Sequence, residues 1–299
     1  MHSNSAKQQL TGDALLLLVT LLAASGWIFS REAVAGLSPL LFMALRFSGA
    51  GLLLALIGFR ALRRLDKAQW KTALQVGALF GTAMVFWILG LKYSSHIGIG
   101  AFLTSLGLVL VPLIAVFLGE RPDRYVYASI PLALFGLACL SISEEFALDW
   151  ASGCFLLAAL FIGLLFILNG RAATHIPALP LTAIQLMVTG LVTGLVSMIF
   201  EDWQFQQPAA IWGWFAASML IATSLRFLIQ TRAQSMASPS HSAIIMTLEP
   251  IWTATLAALW FGESMTDIQL MGCGFIFLAM LVNRWPALRR LLPRRRPLA

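Results

Sequence analysis

Charge is scarce in this chain. Only 11% of its 299 residues are Asp, Glu, Lys or Arg, while 59% are hydrophobic, and soluble domains run near a quarter charged. That shortage excludes a water-soluble globule. Cysteine is almost missing too: Cys139, Cys154 and Cys273 are an odd set scattered over apolar stretches, which excludes a disulfide framework or a thiolate metal centre and leaves packing as their role. The chain contains no His-Glu-x-x-His, no Gly-x-Ser-x-Gly and no cluster of aspartates, so an intramembrane enzyme lacks its chemistry. No ring-forming polar stripe marks a channel. The connectors are too short to hold a nucleotide-binding domain. We expect no metal and no cofactor.

What is present is a train of apolar runs, each near the roughly 20 residues that a helix needs to cross about 30 Å of hydrocarbon. They predict an all-α membrane protein of ten transmembrane helices, at 10–30, 38–60, 70–92, 96–118, 125–143, 150–170, 178–200, 209–231, 240–261 and 267–285. The first run lacks a small-residue cleavage site and reads as a true crossing, not a removable signal. The net charge of +7 points to a membrane surface and not to nucleic acid once its placement is considered. With a cytoplasmic N-terminus, 16 of the 20 basic residues fall in inner segments, from Lys7 and the Arg60–Lys71 stretch to the tail after Trp285, and only Arg31 and Lys92 fall outside. That bias predicts both termini in the cytoplasm and a multi-pass protein of the inner (plasma) membrane. Trp70, Trp150, Trp203, Trp212, Trp214, Trp260 and Trp285 stand at span ends, where an indole suits the headgroup layer.

The chain also repeats itself at an offset near 140 residues. Gly119-Glu120 closes the fourth span and Gly262-Glu263 the ninth. Each half holds an odd number of spans, so residues 148–299 must be inverted relative to residues 1–147, an arrangement suited to alternating access about a midplane site. Gly77-x-x-x-Gly81 and Gly190-x-x-x-Gly194 predict close helix packing inside one chain, and the protein is expected to be monomeric, with the lipid bilayer as its surroundings.

Ten spans, the paired Gly-Glu signals and Leu248-Glu249-Pro250 together make the sequence similar to the EamA branch of the drug/metabolite transporter superfamily over nearly its whole length. The resemblance implies a secondary transporter that exports amino acids, aromatic or other neutral ones among them, or related small metabolites. One departure stands out: where the second half has Pro250, thirteen residues before Glu263, the first half has Gly107, with its proline later at Pro112. Helix four is therefore expected to bend elsewhere than helix nine.

A charge at mid-membrane costs about 2.5–3.5 kcal/mol on insertion scales, so each needs a reason. Arg46, Arg226 and Glu249 are the three. Short connection of spans eight and nine allows an Arg226–Glu249 pair, while Glu249 is equally suited to a cargo ammonium or a proton. Arg46 reads as a packing and gating residue. Pro250 removes a backbone donor and opens the helix beside Glu249, as transporter sites commonly do. A zwitterionic cargo needs an acceptor, donors and an apolar wall. Glu249 supplies the first; Thr104, Ser105, Asn169 and Gln230 the second; Phe86, Trp87 and Trp252 the third. His96 and His241 begin spans four and nine and are candidates for pH gating. The alternative cargoes are a cationic drug or another metabolite such as a nucleotide sugar.

Overall fold

The computed structural model describes residues 2–93, 97–119, 121–141, 150–261 and 266–291. Every regular element among them is helical: α1 (His2–Val34), α2 (Pro39–Ile57), α3 (Phe59–Leu62), α4 (Lys67–Tyr93), α5 (Ile97–Phe117), α6 (Arg124–Ser141), α7 (Trp150–His175), α8 (Ala178–Phe200), α9 (Ala209–Met219), a π-helical turn (Leu220–Leu225), α10 (Arg226–Gln234), α11 (Pro239–Met246), α12 (Glu249–Phe261) and α13 (Asp267–Leu291). Six stretches are long and apolar enough to cross a bilayer: Leu10–Val34, Pro39–Ile57, Lys67–Gly90, Trp150–His175, Ala178–Phe200 and Ala209–Gln234. Shorter apolar helices run over Leu103–Phe117, Arg124–Cys139 and Leu270–Asn283. The protein is thus a multi-pass membrane protein. Its outer faces carry exposed Leu52, Leu56, Leu191, Leu195 and Met198, a surface that water would not tolerate and hydrocarbon does.

Local chemistry starts these helices where the sequence turns. Asp66 and Gln69 cap α4 reciprocally, the Asp66 carboxylate accepting from the Gln69 N–H at 2.8 Å and the Gln69 amide oxygen accepting from the Asp66 N–H at 3.1 Å, a capping box. Ser38-Pro39 and Ser238-Pro239 open α2 and α11 with proline in the first turn, where its missing N–H costs nothing. Gly119, just after α5, is the one described residue with a left-handed φ, +87°, which glycine adopts without penalty. Its turn leaves the Leu118 carbonyl free to accept from Arg171 at 2.6 Å, tying the end of α5 to that of α7.

Packing is by close approach. α2 lies on α8, α6 on α13, α4 on both α7 and α8, α5 on α7, and α1 against α9, α10 and α12. A Cβ on Gly77 or Gly81 would meet Val188 or Val192 of α8 at 2.8 and 2.7 Å, and one on Gly190 would meet Ser48 of α2 within contact distance. Both small-residue motifs are therefore spent inside the chain. α5 carries Pro112 without interruption, whereas the chain from Pro239 to Phe261 breaks into two helices at Thr247-Leu248. Of the tryptophans expected at the headgroup layer, Trp70, Trp150, Trp203, Trp260 and Trp285 are exposed. Trp212 and Trp214 are half-buried, Trp212 edge-on to Phe215 and Trp214 stacked on Phe29, because the start of α9 packs against α1 and α2.

Candidate functional site

The break at Pro250 sets the geometry of the site. Pro250 has no N–H for the carbonyl one turn back, and the chain tightens instead: Thr247 N–H donates to Ile244 O at 3.2 Å and Leu248 N–H to Ile245 O at 3.1 Å. α12 then starts at Glu249. Its carboxylate accepts from the Trp27 indole N–H of α1 at 3.4 Å through Oε1, and its Oε2 lies 3.6 Å from Arg226 Nη2 of α10. Both distances exceed the 2.7–2.9 Å of a tight charge-assisted bond. The two charged side chains keep 22% and 16% of their surface exposed. The pair is formed and loosely held.

Arg226 also lies over the Phe227 ring, 4.2 Å from its centroid. Trp27 meets Trp87 of α4 edge-on, with centroids 5.8 Å apart. Just before Arg226, the π-helical turn leaves backbone carbonyls without their usual donors, and two hydroxyls take them up: Thr223 Oγ1 donates to Ser218 O at 2.9 Å and Ser224 Oγ to Met219 O at 2.8 Å. Thr223 Oγ1 in turn accepts from Arg46 Nε of α2, and Arg46 Nη1 donates to Ser30 Oγ of α1 at 2.9 Å. Arg46 stands by the Phe42 and Phe47 rings, at 5.6 and 5.4 Å from their centroids. Two guanidiniums, one carboxylate and two indoles thus meet from α1, α2, α4, the π turn, α10 and α12. π-helical turns of this kind recur at functional sites.

The other expected site residues lie elsewhere. Asn169 is buried on α7 and donates to Gln234 Oε1 at 2.6 Å, not toward Glu249, because the end of α7 packs on the end of α10. Gln230, one helical turn beyond Arg226, is buried, and its Oε1 has no partner within the protein. Thr104 Oγ1 on α5 is likewise buried without a partner, and neither it nor half-buried Ser105 is bonded to the Glu249 cluster. Phe86 is stacked on Phe161 of α7 at 5.8 Å, a helix contact that points away from the wall expected of it. Trp252, three residues past Glu249, is 38% exposed. His241 joins Asp13 at 3.1 Å and Asn283 at 3.3 Å, where α1, α11 and α13 meet. His96, Glu120 and Glu263 lie outside the described residues.

Trp27, Ser30, Thr223 and Gln234 were not anticipated. Trp27 and Ser30 stand three apart, one face of a helix, and Trp27 is a tryptophan away from the span ends. Gln234 repeats the spacing of Arg226 and Gln230. Thr223 carries no such signal, since nothing in Leu-Ile-Ala-Thr-Ser-Leu announces a π turn.

The EamA-like transporter family model matches residues 10–142 and again 149–285. The uncharacterized transporter YoaV of Bacillus subtilis (strain 168) is 23% identical over 288 residues, covering 92% of this chain and 97% of its own length. An uncharacterized transporter of Archaeoglobus fulgidus is 22% identical over 272 residues, 91% of this chain and 95% of that one. The threonine/homoserine exporter RhtA of Escherichia coli (strain K12) is 27% identical over 177 residues, 56% of this chain and 57% of RhtA. A solved crystal structure superposes with a TM-score of 0.78 at 19% identity, over 97% of this chain and 99% of the other, a likeness of fold.

Proposed function

This chain belongs to the EamA-like transporter family, whose members are transporters and not enzymes, and on that premise we propose that it exports amino acids across the plasma membrane by alternating access. The observation that carries this reading is the loose Arg226–Glu249 pair at 3.6 Å, beside a broken helix and two indoles. A zwitterion can enter such a pair by exchange. Its carboxylate takes the guanidinium of Arg226, its ammonium takes Glu249, and charge in the membrane interior stays balanced throughout. Trp27 and Trp87 offer an apolar and π-bearing wall to the side chain, which favours aromatic and larger neutral amino acids. The partial match to an exporter of threonine and homoserine supports the amino acid class.

In this reading the rods form ten crossings, with α9 and α10 as one and α11 and α12 as another, and both termini are cytoplasmic. The halves are related by a two-fold axis in the membrane plane. The packing pattern supports it: exchanging the halves turns the α4–α7 contact into α9–α10 on α1, and the α5–α7 contact into α11–α12 on α1, while α2–α8 and α6–α13 map onto themselves. The double family match, one per half, points the same way.

A second reading rests on one observation. Two arginines face one carboxylate at the site, which favours a cargo with net negative charge, such as a nucleotide sugar, and disfavours a cationic drug. Counterflow in proteoliposomes separates the two. Labelled phenylalanine or threonine should exchange; exchange of a labelled nucleotide sugar with neither amino acid would replace the first reading by the second. Single cysteines at 65, 122 and 294 in the same vesicles should react with impermeant reagents only from the cytoplasmic face, and reaction from the other face would reverse the orientation.

A further inference from the structure

α10 presents Arg226, Gln230 and Gln234 at four-residue spacing, hence on one face, along about 12 Å of helix at 1.5 Å per residue. The upper rung reaches Glu249 at 3.6 Å. The lower rung reaches Asn169 of α7 at 2.6 Å. Each rung also holds a buried atom that finds no partner in the protein: Arg226 Nε, Gln230 Oε1 and Gln234 Nε2, with Asn169 Oδ1 across from the last. Rotating both amides exchanges the atoms that pair and leaves as many unpaired.

A purely structural stripe would not look like this. The Thr182 and Thr231 hydroxyls close by bond each other at 3.0 Å, so the same helices satisfy a polar pair where structure alone is at stake. Leucine or methionine would fill the positions of Gln230 and Gln234 without any desolvation loss. The amides instead sit beside an apolar seal that includes Phe166, Ile167, Ala233, Ile245 and Met246, and they offer both a donor and an acceptor to anything that passes.

We propose that Asn169, Gln230 and Gln234 form a second polar station for the cargo, met on entry from their end of the bundle before the Arg226–Glu249 pair is reached. This rests on the exporter reading above. Being neutral, the amides hold the ammonium and carboxylate of a zwitterion in turn without trapping it, and α10 carries both stations as one rigid face. Opening of the seal between α7, α10 and α11 gives access to the lower rung.

The test uses the full chain in proteoliposomes of known orientation, with labelled phenylalanine and threonine as probes. Asn169→Leu combined with Gln234→Leu should leave the melting temperature unchanged or raised, and should raise KM at least tenfold from the amide end and less than twofold from the opposite end. Asn169→Gln with Gln234→Asn, which keeps both amides, should restore most of the sided KM. Unchanged KM from both faces, or an equal rise from both, would overturn the proposal. Glu249→Gln assayed alongside tests the exporter reading separately, since its failure leaves the sided difference intact. A Gln230→Cys variant, with Cys139, Cys154 and Cys273 replaced by alanine, gives an independent readout. Thiol reagents should reach it from the amide end only, and phenylalanine should slow that reaction at least tenfold. No labelling, or labelling from both ends, sinks the station even if the leucine pair fails to fold or neither amino acid exchanges.

Discussion

The end of the bundle where α7 stops and α11 starts is packed differently from the end where α8 stops and α9 starts. At the first, residues 242–248 are all buried, a continuous apolar cluster joins α1, α5, α7, α10 and α11, and the polar side chains are paired in part, Asn169 with Gln234 and Asp13 with His241 and Asn283, while Ser242 Oγ is buried without a partner. At the second, aromatic rings meet edge to edge or stacked, Trp214 with Phe29 and Trp260, Trp27 with Trp87, and side chains stay half-exposed. The rigid element there is Glu201, whose carboxylate accepts from the first free N–H groups of α2, those of Leu40 at 2.9 Å and Leu41 at 2.8 Å, and from Ser197 at 3.0 Å. One end is shut by close packing and the other is held at a single corner. Arg226 and Glu249 lie between them, each still partly exposed.

The hardest blow to this picture falls on the pair itself. Glu249→Gln should lower exchange on the order of 100-fold, the equivalent of about 3 kcal/mol, with folded yield kept. Arg226→Met together with Glu249→Gln should recover any lost yield and not transport. If the double variant regained both, the pair would be a dispensable salt bridge and the midpoint between the two ends would carry no function.

Glu201 tests the looser end. Replacing it by alanine strands two N–H groups of α2 and should cost about 1–2 kcal/mol, a fall of a few degrees in melting temperature in detergent, with exchange per folded molecule changed by less than about twofold. A comparable loss of exchange would make the corner part of the transport cycle.

The smallest effect is expected at the packed end. Asp13→Asn keeps an acceptor for His241 and removes only a charge, so the loss should stay below about 1 kcal/mol. A larger fall in melting temperature would mean that this polar contact, and not apolar packing, keeps that end closed.

Much of the architecture is legible in the sequence because membrane spans obey length and hydropathy. The Pro250 break and the Arg226–Glu249 contact also follow from local rules, one from a missing donor and the other from helical rise. The site's remaining members do not. Asn169 and Gln230 look like carboxylate donors by type alone, yet which face of α7 or α10 meets which neighbour depends on packing that periodicity cannot supply when a helix is apolar all round. Phe86 and Trp87 are adjacent and differ by 100° in direction; only the second points at Trp27. Arg46 illustrates the same limit, since its partners lie 16 and 177 positions away.

The π turn at Leu220–Leu225 has a consequence for how this helix tolerates change in length. A π turn takes in one more residue than an α turn, so the rod from Ala209 to Gln234 carries a spare position. Removing one residue from that turn would restore a regular helix with the phase beyond it nearly unchanged, because the wider turn already absorbs the extra residue, whereas removing one from a regular turn would rotate everything beyond it by about 100°. Arg226, Gln230 and Gln234 would keep their neighbours, and the loss would be local, at the carbonyls that Thr223 and Ser224 now take up. The turn acts as a length buffer: it takes up one residue while the polar edge of the second segment keeps its direction.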